Sequence, residues 1–225
     1  MNLQSLQYWF VKKVYADHNS SRSVKQALAL LFQNAPEEFV GLNIGSGKSK
    51  IHPRIKTMEI EAGDGIDFVG SVENIPFENN TIDLIVTQEV LEHVRDPFQA
   101  MDEISRVLRP GALAYIQIPF IIGFHGCPQD YWRFTHQGME ELANIGGLIV
   151  EEIDMTVGPA VGFYRILVEF FAILFSLPSS LLYRPFKLCA SIIFYPIKWL
   201  DPVMRLSREA HRIPGGHFMI CRKPE

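Results

Sequence analysis

The sequence predicts an α/β fold of the doubly wound type, with a mostly parallel sheet and helices on both of its faces. Short apolar runs typical of buried strands alternate with segments whose apolar residues recur at helical spacing. One such run, Phe39–Ile44, stops at Gly45-Ser46-Gly47, where two glycines allow a sharp turn beneath a ligand. Strands that alternate with helices along a chain generally form a parallel sheet covered by those helices.

The elements can be placed in order along the chain. Apolar residues at helical spacing predict two leading helices, one over residues 2–16 and one over Ser20–Gln33. Apolar runs that end in turn residues then predict the strands of the first half. These strands are Phe39–Ile44, Thr57–Ile60, Phe68–Gly70 and Thr81–Thr87.

The second half of the chain continues the alternation. A helix is expected to start at Asp96-Pro97, because Asp can cap a helix and Pro is preorganised for its first turn. Arg109-Pro110-Gly111 is expected to end that helix. The elements predicted after it are a strand over Ala112–Ile118, a helix over Thr135–Asn144, a strand over Leu148–Met155 and a last strand over His217–Arg222.

Length and charge suggest one domain with an added segment. A chain of 225 residues has room for one substantial core and one elaboration. Up to Pro159 there are 12 Lys and Arg against 21 Asp and Glu, whereas the remainder has 9 against 4, so the two parts are expected to face different surroundings. The predicted divisions are N-terminal helices over 1–37, a core over 38–159, an apolar basic helical insertion over 160–212 and the last core strand over 213–225.

The cysteines indicate a reducing compartment. Cys127, Cys189 and Cys221 are far apart and lack the spacing of a metal-binding motif, so neither a disulfide framework nor a metal site is predicted. No secretory signal is expected, because Lys12 and Lys13 follow the first apolar patch and no small-residue cleavage site comes after it. The expected location is cytoplasmic, with peripheral attachment to the inner face of the membrane if the apolar segment docks there.

The glycine turn points to a nucleoside. Ligands in such sheets bind beyond the carboxyl ends of the strands, where Gly45–Lys48, Glu59 and Gln88–His93 are expected to meet the residues that follow Pro119. A dinucleotide fingerprint would need a third glycine where Lys50 stands, and a P-loop would need a different spacing of glycine and lysine. Glu59 can accept both ribose hydroxyls of an adenosine. The alternative is a tight turn beside a solvated strand end.

The chain resembles the class I S-adenosylmethionine-dependent methyltransferases of the type-11 group. The resemblance runs from about Phe39 to Pro119 and is carried by LNIGSGK, MEI and GSVENIPFENNTIDLIVTQEVLEHVRDPFQAMDEISRVLRPGALAYIQIPF. The stretch HGCPQDYWRFT, residues 125–135, is similar to the continuation found in one branch of that group and extends the match to about Val150. The resemblance implies a Rossmann-like fold and S-adenosyl-L-methionine as the cofactor.

The resemblance also implies a set of cofactor contacts. Three residues would wrap the methionine and ribose end, one carboxylate would take the ribose hydroxyls, and two residues would flank the adenine. In that order they are Gly45, Ser46 and Gly47, then Glu59, then Ser71 and Val72, with Gln88 over the cofactor and Asn43 at the end of the first strand.

Two positions depart from the family pattern. Asn43 and Ser71 both stand where the family usually has Asp. Asn43 can still hydrogen-bond but lacks a negative charge near the cationic end of the cofactor, and Ser71 offers the adenine a weaker contact. These departures keep a non-catalytic binding or scaffold protein open as the alternative.

Three residues are candidates for the chemistry. Methyl transfer from a sulfonium is a direct displacement that depends on alignment, and a general base helps only where the nucleophile must lose a proton. His93 in VLEHV, and His125 and Tyr131 in HGCPQDYWRFT, are expected near the acceptor. The alternatives are structural: His93 would brace the following turn, and an Asp130–Arg133 pair would hold the loop while its aromatic residues pack.

Residues 160–200 form an unusually apolar segment that holds ten of the chain's aromatic residues. Its ends are expected to return to the same sheet, so a single membrane crossing is not expected. Arg165, Glu169, Ala172 and Ser176 form one polar stripe on an otherwise apolar helix. This pattern is typical of a helix that lies in a membrane surface, and the alternatives are an internal cap over the active site and a dimer interface.

The sequence therefore predicts methyl transfer from S-adenosylmethionine to an unidentified acceptor. A small molecule is the expected partner, and a lipid or lipid-linked sugar follows if 160–200 contacts a membrane. Nucleic acid is not expected, because the basic residues are interspersed with apolar ones. A nicotinamide-dependent oxidoreductase is disfavoured by Lys50 at the third-glycine position.

Overall fold

The computed structural model describes residues 18–45, 47 and 50–225. The helix predicted over residues 2–16 and the site residue Ser46 lie outside these ranges. The described chain divides into two compact units. We call residues 26–119, 125–154 and 218–225 the sheet unit, and residues 18–25, 120–124 and 155–217 the helical unit.

A mixed seven-stranded sheet with flanking helices confirms the predicted fold class. Its strand order is β3-β2-β1-β4-β5-β7-β6. The order reverses beside β1, which pairs in parallel with β2 on one side and with β4 on the other, and this reversal defines a doubly wound sheet. The strands are β1 Gly41–Ile44, β2 Ile55–Glu59, β3 Phe68–Val69, β4 Ile82–Gln88, β5 Leu108–Pro119, β6 Ile149–Val157 and β7 Gly216–Arg222.

The strand register brings the ends of β1, β2 and β4 to one edge. Ile44, the last residue of β1, is the partner of Met58 in β2 and of Thr87 in β4. β1 is buried along its whole length, which explains why it is a continuous apolar run and not an alternating one. Residues that directly follow these three strands therefore lie close together.

The described helices include the three predicted to start at Ser20, Asp96-Pro97 and Thr135, each within two residues of its predicted start. The helices are α1 Arg22–Asn34, α2 Pro97–Val107, α3 His136–Ile145, α4 Pro159–Phe175, α5 Tyr183–Ile193 and α6 Asp201–Met204. Asp96 caps α2 by accepting hydrogen bonds from the backbone N–H groups of Phe98 and Gln99. Thr135 caps α3 in the same way through the N–H of Gly138.

The strand after α2 begins earlier than predicted, whereas the helix ends within one residue of its predicted end. Helix α2 ends at Val107, and β5 already begins at Leu108, whose backbone is extended (φ −64°, ψ 139°). Arg109 precedes Pro110, and the proline ring disfavours helical geometry in the residue before it. The Arg-Pro-Gly stretch therefore follows the helix, as predicted, and also forms the first part of the next strand.

An ion pair on α2 holds the segment that follows β3. Arg106 donates to both carboxylate oxygens of Glu103 at 2.6 and 2.8 Å, and to the carbonyls of Ile75 and Phe77 at 2.9 and 2.8 Å. Glu103 is buried and also accepts the N–H of Ile75 at 2.8 Å. The guanidinium lowers the pKa of the Glu103 carboxyl. The pair thus fixes this connection to the main apolar core of the sheet unit.

In the helical unit, Asp201 supports the start of α4. Its carboxylate accepts the N–H of Gly158 at 2.8 Å and that of Val161 at 3.2 Å. It thus provides acceptors for N–H groups at the start of the helix that have no partner within the helix. Arg205, one turn further on, donates to the carbonyl of Met155 at 3.0 Å. Tyr164 of α4 reaches α5 by donating its hydroxyl to the carbonyl of Ser191 at 3.0 Å.

The polar stripe of α4 faces the interior of the helical unit. Arg165 is 6% exposed and Ala172 is fully buried. Glu169 accepts a hydrogen bond from Tyr183 at 2.5 Å and pairs with Lys187. The exposed stripe of the same helix consists of apolar residues, namely Phe163, Ile166, Phe170, Ile173 and Leu174. The helix is amphipathic as predicted, but its outer face is the apolar one.

No helix within the described residues combines the length and the apolar character that crossing a membrane requires. The domain boundaries at residues 37, 159 and 212 stay predictions.

Arg106→Ala should lower the free energy of unfolding by about 2 kcal/mol, because it leaves the buried Glu103 carboxylate without its partner. Lys56→Ala is the matched control in the same unit, since Lys56 is exposed and lies 3.5 Å from Asp67. The control should cost no more than about 0.5 kcal/mol. Equilibrium urea unfolding followed by circular dichroism compares the two. Equal losses would show that the Arg106 pair has no special role.

Candidate active site

A cavity of about 560 Å³ opens at the carboxyl ends of β1, β2 and β4. This volume falls within the range of pockets that hold small molecules and cofactors. Its position is the one that doubly wound sheets use for ligands. The wall includes Gly45, Gly47, Glu59, Ser71, Val72, Glu89, Val90, His93, Cys127, Gln129 and Tyr131.

The turn after β1 requires glycine at two positions for different reasons. Gly45 and Gly47 have φ angles of +65° and +57°, which side-chain-bearing residues rarely adopt. A Cβ atom on Gly45 would lie 2.2 Å from Cγ2 of Val90, whereas one on Gly47 would have no atom within 4 Å. Gly45 therefore permits close packing against the residues after β4, and Gly47 permits the turn itself.

Glu59 is tied to this turn. It is the last residue of β2, and its carboxylate accepts the N–H of Gly47. The N–H of Gly45 in turn donates to the carbonyl of Met58 at 2.9 Å. The glycine turn and the carboxylate at the tip of the second strand, which the sequence singles out separately, thus form one unit at the cavity wall.

Ser71 and Val72 line the cavity where the chain leaves β3. The Ser71 hydroxyl accepts the N–H of Glu73 at 3.1 Å, so it also stabilises a local turn. Val72 is buried and belongs to the main core, which gives the wall an apolar surface here. An apolar surface beside a hydroxyl is suited to the face and edge of a heteroaromatic ring.

Asn43 and Gln88 do not line the cavity. Asn43 is buried within β1. Gln88 ends β4 and donates from its amide to the Gln117 side chain at 3.0 Å. The neighbouring Glu89 lies at the cavity wall with φ +58°, and its carboxylate accepts the Gln117 amide at 3.0 Å. Sequence reasoning placed Gln88–His93 at the crevice but gave Glu89 no role, because the positive φ of this residue leaves no mark in the sequence.

The loop after β5 is attached to the turn after β4. The backbone N–H of Tyr131 donates to the carbonyl of Glu92 at 2.7 Å, and the indole of Trp132 donates to the carbonyl of Val94 at 3.0 Å. Nδ1 of His93 lies 2.5 Å from the carbonyl oxygen of Gln129. His93 and Tyr131 line the cavity, so the two loops form its wall together.

His125 lies beside this wall and is held by charged residues. Its backbone N–H donates to Asp130 at 2.8 Å, and its Nδ1 lies 3.4 Å from the same carboxylate. The predicted Asp130–Arg133 pair is present, with a contact of 2.7 Å between Nη2 and Oδ2. This pairing lowers the pKa of the Asp130 carboxyl to about 2, so Asp130 is ionised at neutral pH.

Glu92 also lies in the Gln88–His93 range that the sequence placed at the crevice, but sequence reasoning gave it no role. It is fully buried, and its Oε1 lies 3.5 Å from Nε2 of His93 and 3.6 Å from Nε2 of His125. Burial raises the pKa of the Glu92 carboxyl, and the contact with this carboxylate raises the pKa of His125. A glutamate between two apolar runs in VLEHV was a sequence signal for a buried carboxylate.

A family model for a methyltransferase domain, of the type-11 group, matches residues 23–116. The matched part contains β1 to β4 with the glycine turn, Glu59 and the adjoining cavity wall. This part of the chain is therefore similar to the methyltransferase domains of the type-11 group. It overlaps the stretch from Phe39 to Pro119 that carries the resemblance noted in the sequence.

Curated relatives match short stretches of this chain. A demethylmenaquinone methyltransferase from Lactiplantibacillus plantarum is 35% identical over 78 residues, which cover 35% of this chain and 33% of that protein. A ubiquinone biosynthesis O-methyltransferase from Parvibaculum lavamentivorans is 36% identical over 66 residues, or 28% of this chain and 26% of that protein. These matches therefore span a third or less of the length of either relative.

Solved structures show the fold over most of the chain. A phosphoethanolamine N-methyltransferase from Haemonchus contortus, in complex with S-adenosyl-L-methionine, is 15% identical, with a TM-score of 0.55 over 96% of this chain and 59% of that one. The cyclase SpnF is 14% identical, with a TM-score of 0.55 over 89% of this chain and 81% of that one. A methyltransferase and a cyclase thus share this fold, so the activity must be argued from the site.

Gly45→Ala should lower the free energy of unfolding by about 1–3 kcal/mol more than Gly47→Ala, because only the first substitution places a methyl group in steric overlap with Val90. Both variants also pay the energetic cost of a positive φ, so this cost drops out of the difference between them. Val90→Ala should relieve Gly45→Ala but not Gly47→Ala in a double-mutant cycle measured by urea unfolding. Additive effects at positions 45 and 90 would contradict the proposed close packing.

Proposed function

We propose that this protein transfers the methyl group of S-adenosyl-L-methionine to an acceptor molecule. The observation that carries the proposal is the unit formed by the glycine turn and Glu59 at the wall of the cavity. An acidic residue at the tip of the second strand can accept two ribose hydroxyls. The turn beside it leaves room for the rest of a nucleoside that lacks a pyrophosphate.

Each part of the wall has a role in this proposal. Gly45 and Gly47 contact the methionine and ribose end of the cofactor, and Glu59 accepts the ribose hydroxyls. Ser46, which lies outside the described residues, is assigned to the same end by the family resemblance. Ser71 and Val72 flank the adenine, for which the apolar surface of Val72 supports the assignment. Asn43 and Gln88 do not line the cavity and would affect the cofactor indirectly. Gln88 donates a hydrogen bond to Gln117, and Gln117 donates one to Glu89, which lines the cavity.

The acceptor binds on the side formed by the loops after β4 and β5. His93 and Tyr131 line that side, and His125 stands behind it next to Glu92. These residues orient the acceptor so that its nucleophilic atom, the methyl carbon and the departing sulfur lie in line. In the displacement, the acceptor forms a bond to the methyl carbon, the carbon–sulfur bond breaks, and its electron pair stays on sulfur.

Glu59→Gln should weaken the binding of S-adenosylhomocysteine about 10- to 100-fold, because a hydrogen bond to a charged group contributes about 1.5–3 kcal/mol. Glutamine keeps an oxygen that can accept the Gly47 N–H, so the turn itself should persist. Glu61→Gln is the control, since Glu61 lies two residues on and does not line the cavity. Calorimetric titration measures both. Equal affinities in the two variants would remove Glu59 from the cofactor site.

We further propose that the helical unit docks on an anionic membrane surface, so that the acceptor is a lipid or a lipid-linked sugar. The exposed stripe of α4 is apolar along its length, with Phe170 59% exposed, and Leu188 and Ile192 extend the exposed apolar surface on α5. Residues 160–212 hold seven Lys and Arg against three Asp and Glu. Exposed apolar residues together with net positive charge favour the interface of an anionic bilayer.

The double variant Phe170→Ser, Ile173→Ser should lose most of its co-sedimentation with vesicles that contain anionic lipid. The control is Ile145→Ser, which removes an exposed apolar residue of α3 in the sheet unit. The control should bind vesicles like the parent protein, and neither protein should bind neutral vesicles strongly. The proposal would be contradicted if the parent protein stayed in the supernatant and was dimeric by size. The exposed apolar face would then be an interface between two copies of the chain.

A non-catalytic scaffold with the same fold is the second candidate function. Asn43 and Ser71, where the family usually has Asp, favour it. Retained vesicle binding without any binding of S-adenosylhomocysteine would support this candidate over the enzyme.

A further inference from the structure

Three ligand-type side chains converge beside the acceptor side of the cavity. Glu92 and His93 follow β4, and His125 follows β5. One carboxylate oxygen of Glu92 and one ring nitrogen of each histidine all lie within 4.8 Å of one another. Sequence spacing predicts no metal site in this chain, because these residues come from two loops that only the fold brings together.

The distances match the coordination shell of a small cation. Oε1 of Glu92 lies 3.5 Å from Nε2 of His93 and 3.6 Å from Nε2 of His125. These separations are too long for ordinary hydrogen bonds. With metal–ligand bonds of about 2.0–2.2 Å, two ligands at adjacent corners of a tetrahedron are separated by about 3.3–3.6 Å.

The outer ring nitrogens are engaged in the manner of metal-binding histidines. Nδ1 of His93 faces the carbonyl oxygen of Gln129, which can only accept a hydrogen bond, so Nδ1 must carry the proton. Nδ1 of His125 lies 3.4 Å from Oδ2 of Asp130 and 3.3 Å from Nη2 of Arg133. In neutral His93, the proton on Nδ1 leaves a lone pair on Nε2, which lies 3.5 Å from Glu92. The proposed site requires the same tautomer of His125, with its Nδ1 proton directed to Asp130. A carbonyl or carboxylate behind each ligating imidazole is the usual outer shell of a metal site.

The buried carboxylate needs a positive partner. Glu92 is 0% exposed, and within the described residues neither of its oxygens has a hydrogen-bond partner at normal distance. Burying an unpaired carboxylate is costly. One proton could bridge Oε1 to a single imidazole, which would leave the Nε2 of the other without a partner in the cluster. One cation can bind the carboxylate and both nitrogens together.

We propose that Glu92, His93 and His125 bind a divalent first-row transition cation through one carboxylate oxygen and two Nε2 atoms. Two imidazoles and one carboxylate are a ligand set used for catalytic zinc and for iron(II). Three protein ligands leave a coordination position for water or a substrate oxygen. His93 is a ligand and also lines the cavity, which connects the cation site with the acceptor side.

The cation specifies the acceptor chemistry, and this step rests on the proposed methyl transfer. A bound cation lowers the pKa of a coordinated hydroxyl, which then loses its proton to water. The resulting oxyanion attacks the methyl carbon of the sulfonium, the carbon–sulfur bond breaks, and a neutral thioether leaves. The acceptor atom is therefore an oxygen, and His93 and His125 act as ligands that activate it without themselves taking the proton.

The test uses full-length protein freed of metal with a chelator and then titrated with zinc(II) or cobalt(II). The wild type should bind one equivalent, and cobalt(II) should develop the visible absorption bands of a low-coordinate site with nitrogen ligands. His125→Ala and Glu92→Gln should abolish those bands. Asp130→Asn, which leaves the three ligands in place but removes the negative charge beside His125, should weaken zinc binding by about 10- to 100-fold. His136→Ala is the control, because His136 lies outside the cluster and faces Glu140 at 3.6 Å.

Cofactor binding separates the possible failures. Each variant is also titrated with S-adenosylhomocysteine, and retained binding shows that Glu92→Gln and His125→Ala still fold. Zinc binding that is absent from the wild type, or equal in all variants because the ion is adventitious, would overturn the metal site while leaving the methyltransferase proposal intact. Site-specific zinc binding without any cofactor binding would leave the metal site standing and contradict methyl transfer.

Discussion

The candidate site depends on the space left by the missing side chain of Gly45. A Cβ atom there would overlap Val90, so the turn after β1 and the turn after β4 can pack together only if position 45 is glycine. The same turn allows the N–H of Gly47 to reach Glu59 at the end of β2. One steric constraint thus aligns the ends of three parallel strands and defines the cofactor side of the cavity.

On the acceptor side, the central residue is Glu92, whose side chain is buried. The backbone carbonyl of Glu92 accepts the N–H of Tyr131, while its side chain faces His93 and His125. The loop after β5 is therefore attached to the turn after β4 by a backbone contact, and the histidines are positioned around the buried carboxylate. Main-chain attachment of this kind holds the loop in place even when the charge on the side chains changes.

Much of the fold could be predicted because it depends on local patterns. The apolar run of β1, the glycine turn and the Asp96-Pro97 helix start are each signalled by neighbouring residues. The start of β5 was predicted only at Ala112, because Pro110 and Gly111 are turn signals, whereas the extended geometry that Pro110 favours in Arg109 allows the strand to begin at Leu108. The orientation of α4 could not be predicted, because its polar stripe faces inward through partners that are distant in sequence. Glu169 contacts Tyr183 and Lys187 of α5, and Arg165 contacts His18. Glu92 and His125 are brought together in the same way, by the fold alone.

Calorimetric titration of the wild-type protein with S-adenosylhomocysteine, with NADH as the parallel control, tests the central claim most directly. We expect the protein to bind S-adenosylhomocysteine at one site with micromolar or tighter affinity, because Glu59 is placed to accept ribose hydroxyls. We expect it not to bind NADH, because Lys50 stands where a dinucleotide fingerprint has glycine. Binding of NADH, or of neither compound, would contradict the assignment of the cavity to an adenosyl amino acid.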